Sequence, residues 1–207
     1  MSIIENIKSN ERLKKLALGF IVSPFSARPR WYISWIVNRF FHNRGKGSKV
    51  MWSARLDVLF FKKFNIGKST MIEQHCVINN GGGDVIIGDN CQIGIGTVIL
   101  GPVTIGNGAG TGQYVFLGGF NHGYKDGEKN SKHQQLDIRG ITIEEEVHIG
   151  ANSVVLAGVT IGKRTQIGAG SVVTKSIPSF SIAVGNPCRV IKQYNQVTKE
   201  WEKVINN

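Results

Sequence analysis

Aliphatic residues recur every six positions through most of this 207-residue chain. The repeat runs from Ile66 to Val173, and fourteen of its fifteen positions hold Ile, Leu or Val, with Thr111 as the exception. Nine of the fifteen are followed directly by glycine. A helix repeats about every 3.6 residues and a plain strand about every two. A period of six therefore excludes both and requires a short strand plus a corner in each unit.

Three such units would close a triangular coil of eighteen residues, with the aliphatic side chains stacked inside it. Glycine suits the corners because it has no Cβ and adopts positive φ readily, and 26 glycines against 5 prolines fit that need. Successive coils would pair as parallel strands about 4.8 Å apart. The register breaks between Ile78 and Ile87, and again between Leu117 and Ile143. The pattern predicts a mainly β solenoid of about five triangular coils, with an excursion loop at about 119–140.

Positive charge is concentrated before the repeat. Residues 1–63 contain 13 Lys/Arg and 3 Asp/Glu, whereas residues 64–207 contain 12 and 11. We expect three regions: a helical, basic leader over 1–65 that caps the β-solenoid, the solenoid itself over 66–193, and a short closing helix over 194–207. The leader holds one helical pattern within 2–21 and a second within 30–41, the latter rich in aromatic residues.

The three cysteines indicate a reducing compartment. Cys76, Cys91 and Cys188 are an odd number, widely spaced and without a CxxC pair, which argues against a disulfide scaffold or a zinc ribbon. The N-terminus shows no signal-peptide pattern, and no run of 18 apolar residues is present. We therefore expect a cytoplasmic protein, with peripheral contact at the inner face of the membrane as an open alternative for the basic aromatic leader.

Three segments resemble the hexapeptide-repeat acyltransferases: 149–163 (IGANSVVLAGVTIGK), 167–175 (IGAGSVVTK) and 183–192 (AVGNPCRVIK). Within that family the chain is most similar to the galactoside, maltose and polysaccharide O-acetyltransferases, over roughly residues 66–193. The resemblance implies a left-handed parallel β-helix. Handedness rests on the resemblance alone, because the general rule for parallel crossovers favours the other hand.

His122 is the candidate catalytic residue. Acyl transfer from a thioester to a hydroxyl needs a base, and histidine has an unperturbed pKa of about 6.5. His122 lies where the repeat breaks into the excursion loop, and the resemblance implies a catalytic histidine at this junction. We assign Asn121, which precedes it, to substrate binding. His148 also belongs to the acceptor side, although the family usually has tryptophan at its position.

The resemblance also implies a coenzyme A site. Ala151 and Ala169 match positions whose backbone groups hold the pantetheine arm. Four further residues match positions at the 3′-phosphoadenosine end of the cofactor: Thr174, Lys175, Arg189 and Lys192. Basic side chains suit an anionic phosphate. Acetyl-CoA is thus the expected co-substrate, and no metal is expected.

The expected reaction is acetylation of a sugar or polysaccharide hydroxyl, in a homotrimer whose active sites lie between subunits. The acceptor would be a capsule, lipopolysaccharide or similar glycan. Alternatives are N-acetylation of an amino-sugar and a non-catalytic β-helix that serves as a scaffold. The zinc carbonic anhydrases of this fold need three suitably placed histidines, which the spacing of His122, His133 and His148 does not match. No nucleic-acid partner is expected, because nothing in the chain resembles a nucleic-acid-binding module.

Overall fold

The computed structural model describes residues 10–23 and 28–204. Helix α1 covers Glu11–Ile21 and is capped by Asn10, whose side chain accepts from the backbone N–H groups of Arg12 and Leu13. A π-helical turn, Ile33–Val37, continues directly into helix α2, Asn38–Phe41. Both helices lie where the sequence predicts them, although residues 2–9 of the first pattern fall outside the described residues. None of the described helices is long and apolar enough to cross a bilayer.

Short strands follow one another around a triangular solenoid. In chain order the first three turns comprise β1 (Asn43–Arg44), β2 (Lys49–Val50), β3 (Arg55–Asp57), β4 (Phe64–Ile66), β5 (Met71–Ile72), β6 (Val77–Asn79), β7 (Val85–Ile87), β8 (Gln92–Ile93) and β9 (Val98–Leu100). The fourth turn comprises β10 (Val103–Ile105), β11 (Gly110–Thr111) and β12 (Phe116–Gly118), and it is followed by the loop strands β13 (Phe120–Asn121) and β14 (Asp137–Ile138). The remaining turns comprise β15 (Ile141–Ile143), β16 (His148–Ile149), β17 (Val154–Val155), β18 (Thr160–Ile161), β19 (Gln166–Ile167) and β20 (Val172–Val173).

The strands form three parallel sheets, one on each side of the triangle. The first sheet has the order β1-β4-β7-β10-β15-β18, and the third has β3-β6-β9-β12-β17-β20. The second begins β2-β5-β8-β11-β16-β19 and continues into the C-terminal strands. We call the corner between the first and second sheets the first corner, that between the second and third the second corner, and that between the third and first the third corner. This is the left-handed β-helix that the resemblance implies.

The described residues make six turns, one more than the five predicted. The additional turn is the first, formed by β1, β2 and β3, so the solenoid begins at Asn43 within the region predicted as leader. Its sequence hides the repeat because Arg44 occupies an inward position and pairs with Ile66 at the end of the stack, where it is exposed. Its inward positions are followed by glycine only at Gly45.

The core is a stack of the repeat's aliphatic side chains. Ile72, Ile93 and Ile149 stand one above another in the second sheet and have no exposed surface. Thr111, the polar exception, lies in the same column with 7% exposure. Its hydroxyl accepts a hydrogen bond from the backbone N–H of Gly94 at 3.0 Å, so the buried oxygen is satisfied. The packed interior of the solenoid therefore gives rigid support to the residues at its corners.

The predicted closing helix over 194–207 is wrong for the part that the structure describes. β21 (Ser181–Val184), β22 (Arg189–Tyr194) and β23 (Trp201–Lys203) continue the second sheet, the last two pairings being antiparallel. Asn195 caps a single turn, since its side chain accepts from the backbone N–H groups of Val197 and Thr198. Lys199 then adopts a positive φ of 61°, which ends the turn before a helix can form. The rings of Tyr194 and Trp201 then meet across the strand pair at 5.4 Å.

Candidate active site

His122 stands at the third corner, where the fourth turn opens into the excursion loop. It follows β13, in which Asn121 pairs with Asp137 of β14 in an antiparallel bridge. The His122 side chain is exposed, and its ring meets the ring of Phe120 edge-on with centroids 6.3 Å apart. No hydrogen bond links the ring to another described residue. The imidazole is therefore available to an incoming hydroxyl, with one face defined by an aromatic side chain.

The excursion loop has its own internal structure, which sequence reasoning missed. A 3₁₀ turn covers Ser131–His133. The next residue, Gln134, donates from Nε2 to the carbonyls of Asp126 and Lys129, at 2.8 Å each. Gly123 lies so close to this side chain that an added Cβ would stand 2.6 Å from Cβ of Gln134. In the sequence, the signs of this arrangement are Gly123 and the polar stretch that follows it. No motif identifies Gln134.

A cavity of about 440 Å³ lies within the loop, directly after His122. Tyr124, Lys125 and His133 line it, together with the Asp126–Lys129 pair. Lys129 Nζ lies 2.9 Å from Asp126 Oδ2 and holds the pKa of that carboxyl below its usual range, mainly through the hydrogen bond. The Asp126 carboxylate is thus paired with Lys129. The cavity is polar and open, as a hydroxyl-rich ligand requires.

Backbone N–H groups at the solenoid corners differ in whether a side chain caps them. At the second corner, the Glu73 carboxylate accepts from the N–H of Ile95, one turn further on, at 3.1 Å. At the first corner, Glu144 accepts in the same way from the N–H of Lys163, at 2.8 Å. In both cases the capping residue directly follows an inward aliphatic residue. Glycine occupies that following position in most turns.

Three consecutive N–H groups at the second corner have no partner among the described residues. They belong to Gln113, Ala151 and Ala169, in the fourth, fifth and sixth turns. The residue that would cap each one is a glycine, respectively Gly94, Gly112 and Gly150. Turns are spaced by about 4.8 Å, so the corner presents a column of free donors. Such a column can bind an extended chain that carries amide carbonyls. The sequence analysis singled out Ala151 and Ala169 but missed Gln113.

The four basic or polar residues expected at the cofactor's phosphate end lie at the C-terminal end of the solenoid. Thr174 and Lys175 follow β20 at the third corner and are exposed. Arg189 is exposed, and its guanidinium donates to the carbonyl of Cys188. Cys188 in turn donates its N–H to Val172 of β20. Lys192 is half-buried between Ile182 and Lys203.

His148 and His122 lie on different parts of the solenoid. His148 is exposed in the second sheet, paired with Gly110 and Gln166. His122 lies beyond the end of β12 at Gly118, at the third corner. One side of the triangle, six residues that span at most about 20 Å, lies between His122 at the third corner and the N–H column of Ala151 at the second corner.

No group of three potential ligands that could hold a metal ion occurs among residues 10–23 and 28–204. The absence of a metal requirement stays a prediction.

Comparison with known proteins gives a consistent picture. The model of the family "Bacterial transferase hexapeptide (six repeats)" matches residues 84–119 and 140–175. A protein of Escherichia coli strain K12 that is named as a lipopolysaccharide biosynthesis O-acetyl transferase, WbbJ, is 34% identical over 132 residues, 59% of this chain and 67% of WbbJ. Serine acetyltransferases, such as that of Staphylococcus xylosus, match over about half of their length, 50% in that case.

Two solved structures share the architecture. A maltose O-acetyltransferase from Clostridium difficile 630 superposes with a TM-score of 0.55 and 26% identity, covering 92% of this chain and 88% of that enzyme. A mutant of AntD, an N-acyltransferase from Bacillus cereus in complex with dTDP-4-amino-4,6-dideoxyglucose and coenzyme A, gives a TM-score of 0.66 with 20% identity. It covers 78% of this chain and 90% of AntD, and at that identity it bears on the fold alone.

Proposed function

Because the chain belongs to the hexapeptide-repeat acyltransferase family, we propose that it transfers an acetyl group from acetyl-CoA to a hydroxyl of a sugar or polysaccharide. The observation that carries the proposal is the position of His122. It is an exposed imidazole at the one turn where the solenoid opens into a long loop, beside a polar cavity. Function is often carried by such a loop on a rigid scaffold.

His122 acts as the general base for a direct attack. Its neutral ring takes the proton of the acceptor hydroxyl while that oxygen attacks the thioester carbonyl. The tetrahedral intermediate then collapses, the C–S bond breaks, and the coenzyme A thiolate takes the proton from the imidazolium. Base catalysis of this kind contributes about 10²–10⁴-fold to the rate. The acetyl group ends on the sugar oxygen, and no covalent enzyme intermediate is required.

Acetyl-CoA binds along the second corner. The free N–H groups of Ala151 and Ala169 donate to the amide carbonyls of the pantetheine arm, which lies extended across the turns. The phosphates of the nucleotide end bind to Arg189 and Lys192 of the same copy, and to Thr174 and Lys175 at the third corner of the copy that supplies His122, as cationic side chains do. Thr174, Lys175 and Arg189 are exposed, and the N–H groups of Ala151 and Ala169 have no partner among the described residues, which supports the assignment.

The active site is shared between copies of the chain in a homotrimer. The support is geometric: His122 lies at the third corner and the N–H column at the second corner, with the width of a sheet, at most about 20 Å, between them. A reaction that uses both needs the third corner of one copy beside the second corner of another. Asn121 and His148 contact the acceptor in this arrangement, His148 from the neighbouring copy.

The acceptor is a glycan of the capsule or lipopolysaccharide type. WbbJ is named for lipopolysaccharide biosynthesis and the Clostridium enzyme for maltose acetylation, and both names describe acetyl transfer to carbohydrate oxygen. The three cysteines are free and buried, which fits a reducing compartment such as the cytoplasm. We place the reaction there, on an acceptor at the inner membrane face.

Thiol release from acetyl-CoA tests the proposal. The native chain and the His122→Ala chain are assayed against soluble sugars, amino-sugars and isolated glycans. Lys132→Ala is the control, because Lys132 is exposed in the same loop and does not line the cavity. We expect acceptor-dependent release on a hydroxyl acceptor, a loss of about 10²-fold or more for His122→Ala, and native activity for Lys132→Ala. Equal activity of the His122→Ala and native chains would contradict the assigned base. Release only with amino-sugars would contradict O-acetylation.

A further inference from the structure

The helical segment over 31–41 has its apolar face turned outward. Trp31, Trp35 and Phe40 have 73%, 79% and 81% of their surface exposed. The inward side carries Ile33 and the polar Asn38, whose amide donates to the carbonyl of Val58 at 2.7 Å. A helix that rests on its own protein normally shows the opposite distribution. This face, which also includes Ile36 and Phe41, is built to contact something outside the chain.

Charge identifies the chemistry of that contact. Between Arg28 and Leu56 the sequence holds seven Lys/Arg and no Asp/Glu. Arg39 lies within the aromatic face and is exposed, and Arg30 begins it. Tryptophan and arginine together favour the interface of a bilayer with anionic headgroups, where the rings enter the headgroup region and the cations meet phosphate.

A polar cavity of about 520 Å³ adjoins the same face, lined by Trp31, Trp35, Arg28, Arg30 and Asp57 among others. The Asp57 carboxylate is 3% exposed and accepts from Arg28 at 3.3 Å and from Arg55 at 2.6 Å. One carboxylate thus orients two guanidinium groups and neutralises one of them. The charged lining residues Arg28, Arg30 and Asp57 give the cavity a net charge of +1, and Arg55, which contacts Asp57, adds a second positive charge nearby. This charge suits a phosphate ester.

We propose that residues 28–41 form a membrane-docking face for an anionic bilayer, in which the cavity between Arg28, Arg30 and Trp31 takes the phosphate of a membrane lipid. The aromatic residues supply burial in the headgroup region, and the arginines supply the charge.

The cavity and His122 lie on the same edge of the solenoid. Asp57 pairs with Asn79, Asn79 with Leu100, and Leu100 with Gly118, all in one register column of the third sheet. Three strand spacings separate Asp57 from Gly118, about 14 Å, and His122 follows Gly118 closely. The edge between them carries the glycines of 81–83, which broke the repeat in the sequence. Resting on the proposed function, this arrangement points to an acceptor glycan joined through phosphate to a lipid.

Vesicle co-sedimentation tests docking without reference to activity. The full chain is mixed with vesicles of phosphatidylglycerol and phosphatidylcholine, and with vesicles of phosphatidylcholine alone. We expect binding to the anionic vesicles that weakens as salt is raised. Trp31→Ser/Trp35→Ser is expected to bind at least tenfold more weakly. Arg30→Gln/Arg39→Gln is expected to lose about 25-fold, from about 1 kcal/mol for each surface cation.

Lys163→Gln/Lys199→Gln is the charge-matched control, since both lysines are exposed and lie in the sixth turn and the C-terminal segment, at the other end of the solenoid from β1. It is expected to bind like the native chain. Loss of binding in this control to the same extent would mean that net charge alone drives association, and would overturn the proposal. So would a failure of the native chain to bind anionic vesicles. If Trp31→Ser/Trp35→Ser instead dissociates the oligomer without vesicles present, the face is an interface between copies and the proposal is wrong.

Tryptophan fluorescence tests the cavity, because Trp31 and Trp35 line it. Titration with dihexanoyl phosphatidic acid is expected to change the emission. Arg28→Gln removes one guanidinium while Asp57 keeps its contact with Arg55 at 2.6 Å, and it is expected to weaken this binding at least tenfold. Equal affinity for inorganic phosphate would assign the cavity to the free anion and contradict a lipid ligand. Vesicle binding by a chain inactive on every acceptor would refute the proposed function while leaving the docking face intact.

Discussion

Gln134 binds both backbone groups of Asp126: its Nε2 donates to the Asp126 carbonyl at 2.8 Å, and its Oε1 accepts from the Asp126 N–H at 3.0 Å. This contact closes the excursion loop on itself a few residues after His122. β13 and β14 pair with each other at the base of the loop, and the N–H of Gly119 donates to the carbonyl of Leu100 in the solenoid at 2.8 Å. We therefore expect Gln134 to position the candidate base by ordering the loop.

Replacing Gln134 by alanine is expected to lower kcat/KM by about 10- to 10²-fold, because small displacements of a catalytic group have effects of that size. The melting temperature of the solenoid should change little, since the loop opens locally. Hydrogen exchange across 123–137 should increase in the same variant. Gln135→Ala, next to it and exposed, is the control. Native activity in Gln134→Ala with faster loop exchange would show that loop order is irrelevant to catalysis.

Mixing two inactive variants tests the shared site. His122→Ala lacks the base, and Arg189→Gln/Lys192→Gln lacks the cofactor contacts of the strand that extends the second sheet, so each is expected to be weakly active alone. Chains unfolded and refolded together should regain about a quarter of native activity, because random assembly of a symmetric oligomer leaves that fraction of sites with both native halves. If every site lay within one chain, mixing would restore nothing. Sedimentation of the same samples measures the oligomeric state directly.

Lys175→Gln is expected to raise KM for acetyl-CoA by about 10- to 10²-fold, the value of a hydrogen bond to a charged group, with kcat nearly unchanged. For an acetyl-CoA analogue without the 3′-phosphate, the native and variant chains should have similar KM values. Lys163→Gln, an exposed lysine at the first corner, serves as the control. An equal rise in KM for acetyl-CoA and for the analogue would show that Lys175 does not contact the 3′-phosphate.

Gly112→Ala is expected to destabilise the solenoid by about 1–3 kcal/mol, as overpacking does. An added Cβ would stand 2.6 Å from the backbone nitrogen of Ala151 in the next turn. The same intrusion should raise KM for acetyl-CoA, because it displaces the N–H proposed to bind the pantetheine arm. Gly127→Ala, with no atom within 4 Å of the added Cβ, should leave both quantities unchanged. Urea unfolding and steady-state kinetics measure the two effects.

His42 should make stability depend on pH. Its two ring nitrogens are buried without a hydrogen-bond partner among the described residues, and its ring packs edge-on against Phe64 at 5.6 Å. Burial, with the nearby Arg44 charge, lowers the pKa of His42. As pH falls through the usual histidine pKa of about 6.5, the unfolded chain takes up a proton that the folded chain does not. The free energy of unfolding therefore decreases as the solution becomes acidic.

His42→Phe removes the contribution of His42 to the pH dependence of stability while keeping an aromatic ring against Phe64. Between pH 7.5 and about pH 5.5, below the usual histidine pKa, the free energy of unfolding of the variant should fall less than that of the native chain. Comparing the two chains cancels the titration of the carboxylates. An equal fall in both would show that His42 accepts its proton as readily when folded.

Periodicity alone predicted the solenoid because inward residues of successive turns pack on one another. The spacing between them along the chain therefore indicates both the strands and the way in which the turns stack. It failed at the two ends for physical reasons. Arg44 occupies an inward position that has no turn beyond it to bury it, so the first turn carries no aliphatic signal there. At the other end, the turn at Asn195 ends at Lys199, which has a positive φ, and the strand Trp201–Lys203 completes the sheet.

The sequence by itself determined the class of fold, the family and the junction at which His122 stands, because these depend on local spacing along the chain. Only the tertiary structure decided which groups share a surface. The free N–H of Gln113, the separation of His122 from Ala151, and the outward aromatic face beside Asp57 arise from turns stacked far apart in sequence. Whether an N–H is capped or a tryptophan is covered depends on a neighbouring turn, and no single-segment pattern records that neighbour.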